Sequence, residues 1–294
     1  MTTARSALSS LKVLYSHEMV SDSGVRASPS DRKPLAVSGA LLRTTWPIEL
    51  VAPAPTAIGD VCKVHDPKFV DDVLQLRRQN GFGSFSESVA RSILYTCGAC
   101  YDSARVALDD GISASLTSGF HHAGPRAARG FCTFNGLMVT AAQLLDEARV
   151  QKVAIVDCDY HYGDGTQAII DALHLSDRVL HLSFGEIYRK PEQADAYLRA
   201  MSQLRATFAD FRPDIVIYQA GADVHVDDPL GGLLTTEQMR SRDRAMFSLA
   251  RELSIPLTWT LAGGYQIEKD GSIPRVIQLH LNTFEEALRV WQLI

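Results

Sequence analysis

The chain has 294 residues, 46% hydrophobic and 21% charged, and its 29 Lys and Arg against 34 Asp and Glu give a net charge of −5. That balance excludes disorder as the dominant state and argues against nucleic acid as a main partner, because phosphate binding needs a basic face. No apolar stretch reaches the ~20 residues of a membrane span, and Met1–Leu8 lacks the apolar centre of a signal peptide; five scattered cysteines (Cys62, Cys97, Cys100, Cys132, Cys158) do not form a secreted disulfide framework, so the expected compartment is reducing cytoplasm.

Val13–Tyr15 is a short apolar run, and a Ser/Pro/Arg-rich loop follows from Ser21 to Pro34. Apolar spacing predicts helices over Pro67–Leu76 and Ser86–Leu108, a short strand over Ala114–Thr117 and a helix over Phe134–Glu147. Val153–Val156 is the continuous apolar run expected of a strand buried on both faces. Helix Gln167–Leu175, strand Val179–Leu182, helix Ala194–Ala209 and strand Ile215–Tyr218 come next. Thr235–Leu253 reads as a long amphipathic helix, Leu257–Leu261 as a strand running into two glycines, and Phe284–Trp291 as a closing helix. The β-then-α order, with no repeat and no linker, predicts one α/β domain over residues 1–294. Its architecture would be a three-layer α/β/α with a mainly parallel central sheet.

Such sheets bind ligands beyond the C-terminal ends of their strands. Four predicted strands end in chemically capable residues: Asp157-Cys158-Asp159-Tyr160-His161, Gln219-Ala220-Gly221-Ala222-Asp223, Ala262-Gly263-Gly264-Tyr265 and Ser118-Gly119-Phe120-His121-His122. If the chain stays extended, Asp157, Asp159 and His161 share one side. Acids and an imidazole that close call for a divalent cation, because unpaired buried charge is costly. Asp223 completes a site of Asp159, His161 and Asp223, whose open fourth position is the catalytic pattern. Zinc suits these donors best, and Fe(II) also fits. Read alone, the same segment could equally be helix caps and a satisfied histidine.

His121-His122 beside Ala123-Gly124 offers a general base and acid, with Asp157 and Asp164 available to fix the imidazoles. Tyr265 after two glycines offers a phenol that can donate to a substrate oxygen. Alone, the tyrosine would be read as packing on the sheet end.

Together these residues resemble the histone deacetylase superfamily, including its bacterial amidohydrolase members. The matching stretches are Val64-His65-Asp66-Pro67, Gly119–Ala123, Gly130–Asn135, Asp157–Thr166, Ala220–Asp223 with Asp228–Gly231, and Gly263–Tyr265, in the family's order. The resemblance implies an arginase/deacetylase-like fold and hydrolysis of N-acyl amides with one metal. It implies Asp159, His161 and Asp223 as metal ligands, His122 backed by Asp164 as general base and acid, His121 backed by Asp157 as its electrostatic partner, and Tyr265 at the carbonyl oxygen. It also implies a monovalent cation such as K+ near Asp157, Asp159, His161 and Ser183. Phe131 with Gly130 would form one wall of an acyl channel, near Gly264.

Three departures stand out. Tyr162 replaces the family's usual second His, the Ser183–Asp223 stretch is much shortened, and Ser28–Pro34 replaces a His-Pro-Glu-Arg-type segment. Phe184 is then the candidate for the opposite wall, and an open cleft or a wall lent by a second subunit would fit. The expected substrate is an acyl-lysine, an acetylpolyamine or a small N-acyl amine, with a lean to a small or accessible one. Three other readings compete. A dinuclear ureohydrolase would want Asp-x-His-x-Asp where this chain has Asp-x-Asp-x-His. A thiol redox protein would use Cys97 and Cys100, but these fall inside a predicted helix of small residues. A non-catalytic binding module would have kept the fold without the chemistry.

Overall fold

A computed structural model describes residues 8–294. All but the last residue of the Met1–Leu8 segment read for a signal peptide lies outside the described residues. Among the described residues, seven strands form one sheet: β1 (Leu11–Leu14), β2 (Ile48–Val51), β3 (Ile112–Ser115), β4 (Val153–Asp157), β5 (Val179–Ser183), β6 (Ile215–Gly221) and β7 (Leu257–Ala262). The order is β2-β1-β3-β7-β6-β4-β5, and every pairing is parallel.

Helices cover both faces, as the expected three-layer arrangement requires. On β4, Ala154 and Val156 belong to one apolar cluster while Val153 and Ile155 belong to the other. This is the period-two alternation of a strand, with apolar residues on both sides. One face is covered by α1 (Lys33–Leu41), α7 (Ala194–Phe211), α8 (Thr236–Glu252) and α9 (Pro274–Val290). Its centre is Trp259, edge-on to Phe247 and tilted against Phe284, both at 5.1 Å. The other face is covered by α2 (Ile58–Val61), α3 (Pro67–Leu74), α4 (Glu87–Asp110), α5 (Gly136–Asp146) and α6 (Asp164–Ala172). Each fully buried large apolar side chain stabilises the fold by about 1.5–3 kcal/mol.

Local chemistry sets several boundaries. Thr235 caps α8 through a reciprocal pair with Gln238, and Asn135 caps α5 by accepting from the Met138 amide. Gly111, at φ +96°, ends α4 and starts β3 at once. Three expectations are corrected. Lys33 and Pro34 open a helix instead of closing a loop, and β2 follows where no strand was predicted. The closing helix begins at Pro274, ten residues before Phe284, because inward-facing His280, Asn282 and Thr283 hide its apolar period. No described helix is long and apolar enough to cross a membrane.

Candidate active site

β3, β7, β6 and β4 are consecutive in the sheet, so the segments leaving their C-terminal ends converge. Beyond Asp157 the chain bends instead of staying extended. Carboxylates of the site make the bend by accepting backbone amides. The Asp159 amide donates to Asp157 Oδ1 at 3.1 Å, the His161 amide to Asp159 Oδ1 at 2.9 Å, and the Tyr160 amide to Asp223 Oδ1 at 3.1 Å. Asp157 is thereby separated from the other two. It turns toward His121, and its Oδ1 also accepts from Gln219 at 3.0 Å.

Asp159, His161 and Asp223 come together. His161 Nδ1 lies 3.2 Å from Asp159 Oδ1 and 3.0 Å from Asp223 Oδ2. One ligand atom from each residue lies within 4.8 Å of the others. Both carboxylates are buried, while the His161 side chain is 33% exposed. Burial, then the charge of Asp159, pushes Asp223 up to about 7. Burial works against a charged His161, but Asp159 and Asp223 outweigh it and lift the imidazole to about 10. The cluster therefore attracts positive charge. Without a metal a proton on His161 answers that charge, and a divalent cation held by the same nitrogen would take the proton's place. Two carboxylates and an imidazole with one accessible side fit a catalytic Zn2+ or Fe2+ site.

The two imidazoles sit beside this cluster, their rings 4.1 Å apart. His121 Nδ1 bonds to Asp157 Oδ2 and His122 Nδ1 to Asp164 Oδ1, both at 2.8 Å. The two rings differ electrostatically. Burial opposes charge on His121, yet Asp157, Asp159 and Asp223 raise it to about 9. Burial and the neighbouring charge on His121 lower His122. One ring thus tends to hold a proton while the other, 21% exposed at its side chain, is free to accept one.

Tyr265 arrives from β7 through Gly263 and Gly264, at φ +54° and +88°. A Cβ on Gly263 would lie 2.3 Å from the Asp223 carboxylate, so this turn needs glycine for space as well as for conformation. The Tyr265 amide donates to Asp228 Oδ2 at 2.7 Å. Burial, then Asp159 and Asp223, raises the phenol well above its ordinary range and keeps it a neutral donor. Phe131, at φ +63°, stands 5.8 Å from the Tyr265 ring and 5.7 Å from Phe82. A side chain on Gly130 would meet His122 Cδ2 at 2.6 Å.

One wall residue is corrected. Phe184 packs in the core between Tyr188 and Tyr197 of α7 and is only 6% exposed, so it does not face the cation cluster. A side chain on Gly264 would point at Val276 and Ala222, so this glycine shapes the turn. Of the monovalent-cation candidates, Asp157 and Ser183 are register partners on β4 and β5, and Ser183 Oγ accepts from the Gly163 amide at 3.0 Å. Cys97 and Cys100 are fully buried in α4, and burial raises their thiols beyond ordinary reactivity, Cys100 to about 12.

Sequence reasoning did not assign a role to four supporting side chains. Lys33 is fully buried and donates to the Gly263 carbonyl and, at 3.1 Å, to Ser118. Burial brings its ammonium down to about 8 against the pull of Asp223, Asp159 and Asp228. Asp228 holds the Tyr265 amide, Gln219 holds Asp157, and Arg129 pairs with Asp164. Gln219 at a strand end and Asp228 in a stretch matching the family were visible without a role, whereas Lys33 showed only as a Lys before Pro34 at the head of an apolar stretch.

The histone deacetylase domain model matches residues 32–194 and 187–283. An uncharacterized protein of Picosynechococcus sp. is 30% identical over 221 residues, covering 69% of this chain and 74% of that one. The crystal structure of the HDA15 HD domain superposes with a TM-score of 0.75 at 22% identity, covering 97% of this chain and 90% of that one. An acetylpolyamine aminohydrolase from Burkholderia pseudomallei gives a TM-score of 0.73 at 17% identity, with 96% and 99% covered. At those identities the two structures speak for the shared three-layer fold. The domain match spans most of the chain, which therefore belongs to the histone deacetylase family.

Proposed function

We propose that the chain is a zinc-dependent deacetylase that hydrolyses an N-acyl amide to a carboxylate and a free amine. The observation that carries this reading is the meeting of Asp159, His161 and Asp223 beside two carboxylate-backed imidazoles and a neutral phenol. Asp159, His161 and Asp223 would hold the cation, which supplies Lewis-acid activation of water and of the acyl carbonyl when bound. Fe2+ is the alternative ion. Asp157, Asp159, His161 and Ser183, gathered at neighbouring strand ends, would hold K+.

This chain's own residues do the rest. His122, through the nitrogen not bonded to Asp164, accepts the proton of the attacking water and delivers it to the departing nitrogen. Asp164 fixes that tautomer. His121, kept protonated by Asp157 and its neighbours, adds positive charge where the oxyanion forms. The Tyr265 hydroxyl donates to the former carbonyl oxygen. Phe131 lines the acyl group's approach. With Phe184 withdrawn into the core, the mouth suits a small or accessible acylated amine, such as an acetylpolyamine, better than a long enclosed chain.

The test is turnover of an acetyl-lysine peptide, N-acetylputrescine and trifluoroacetyl-lysine by the zinc- and iron-loaded protein. Release of free amine that disappears in His122→Ala is the expected result. Equal turnover by His122→Ala would remove His122 from the role of general base, and no turnover of any of the three by the metal-loaded wild type would leave a binding module as the better reading.

A further inference from the structure

Arg242 on α8 is fully buried. A guanidinium out of water costs several kcal/mol unless it is paired and hydrogen-bonded. Here Nε and Nη2 both lie 2.8 Å from Asp243 Oδ1. Asp243 in turn accepts from the Tyr218 hydroxyl and, at 2.7 Å, from Thr283. The remaining edge of the fork points at backbone. Nη1 donates to the Gly221 carbonyl at 2.7 Å and lies 3.5 Å from the Cys158 carbonyl.

Those two carbonyls belong to the segments that deliver the candidate ligands. Gly221 ends β6, two residues before Asp223, and Cys158 follows β4, one residue before Asp159. The two segments touch at this level. The Cys158 amide donates to the Gln219 carbonyl at 3.0 Å, and a Cβ on Gly221 would lie 2.4 Å from Asp159 Cα.

We propose that Arg242 is a positioning residue of the cation site. Its planar fork, anchored on Asp243, fixes the spacing of the β4 and β6 ends and so the separation of the Asp159 and Asp223 carboxylates. The proposal rests on the cation-site reading above. Stability alone does not explain the residue, since buried ion pairs are often replaceable by apolar side chains at no loss. An apolar side chain cannot donate to backbone on two neighbouring strands, and a lysine cannot present the same fixed fork. Groups that orient metal ligands from behind typically carry about 10–100-fold in metal affinity.

The experiment compares cobalt binding to the metal-free wild type, Arg242→Met, Arg242→Lys and Arg240→Met. Arg240 lies on the same helix but pairs with Glu285 and Glu286 of α9. The readouts are the thermal midpoint without metal, the Co2+ dissociation constant and the visible absorption of bound Co2+. Arg242→Met is expected to weaken Co2+ by about tenfold or more and to change the absorption band. Arg242→Lys should recover part of both. Arg240→Met should lower the midpoint and leave both cobalt readouts alone. Wild-type affinity and absorption in Arg242→Met would overturn the proposal, as would an equal loss in Arg240→Met. If Arg242→Met does not fold, wild-type cobalt readouts in Arg242→Lys overturn it. A wild type that binds no Co2+ would instead overturn the cation site itself, and the clamp with it.

Discussion

Two clusters of buried charge lie back to back beneath the strand ends. Arg242 and Asp243 cancel each other, and Tyr218 and Thr283 complete the carboxylate's bonds. Asp159 and Asp223 share the His161 imidazole, His121 Nε2 lies 3.7 Å from Asp159, and the buried Lys33 ammonium bonds to the nearby Gly263 carbonyl and not to either carboxylate. Both clusters meet the same low-dielectric cost. The first pairs a full cation with a full anion and extends only to backbone carbonyls. The second stays open on the His161 side, which is 33% exposed and gives a cation a way in.

The largest expected effect comes from breaking the second cluster. Asp223→Ala should lower kcat/KM by about 10³-fold or more and abolish tight cation binding, by comparison with other catalytic metal sites. The same change should leave the thermal midpoint of the metal-free protein equal or higher, because it removes a strained carboxylate. A large loss of metal-free stability would mean that the cluster is structural after all. Gly263→Ala forces a Cβ onto that carboxylate and should act in the same direction on activity. Tyr265→Phe leaves the cluster whole and removes one donor; kcat should fall about 10²–10³-fold, with cation affinity unchanged.

A smaller effect is expected from pH. His65 donates from Nδ1 to the Gly124 carbonyl and accepts the Asn135 amide at Nε2, both at 2.9 Å, and burial takes it down to about 4. Its folded value lies below the unfolded one near 6.5. The unfolded chain therefore binds the extra proton between those values. The stabilisation, of the order of 3 kcal/mol, is complete above about pH 6.5 and is lost as pH falls toward 4. His65→Gln should flatten that part of the stability profile measured by urea unfolding. The smallest effect belongs to Cys97→Ala with Cys100→Ala, which should cost about 1–2 kcal/mol of packing and leave turnover intact. Lost turnover at full stability would revive the thiol reading.

The parallel sheet was legible because β4, β6 and β7 are buried on both faces and read as continuous apolar runs. The site was legible because its residues sit within a few positions of strand ends. Three kinds of feature were hidden. β2 is a half-exposed edge strand of four residues, too short to show a period. α1 and α9 bury polar groups such as Lys33, His280 and Thr283, which breaks their apolar spacing. Lys33, Asp228 and Arg242 act on backbone atoms of distant segments, and nothing local in the sequence reports a partner 230 positions away, as in the Lys33–Gly263 bond. Phe184 was misplaced for a related reason, since Tyr197 of α7, thirteen positions on, packs against its ring.

The most direct test of the central claim is a titration of metal-free protein with Zn2+, following bound metal and deacetylation together, for the wild type and Asp223→Ala. The account predicts one tightly bound ion per wild-type chain, activity rising in step with occupancy, and neither in the variant. Activity in the metal-free protein, or equal zinc binding by Asp223→Ala, would contradict it.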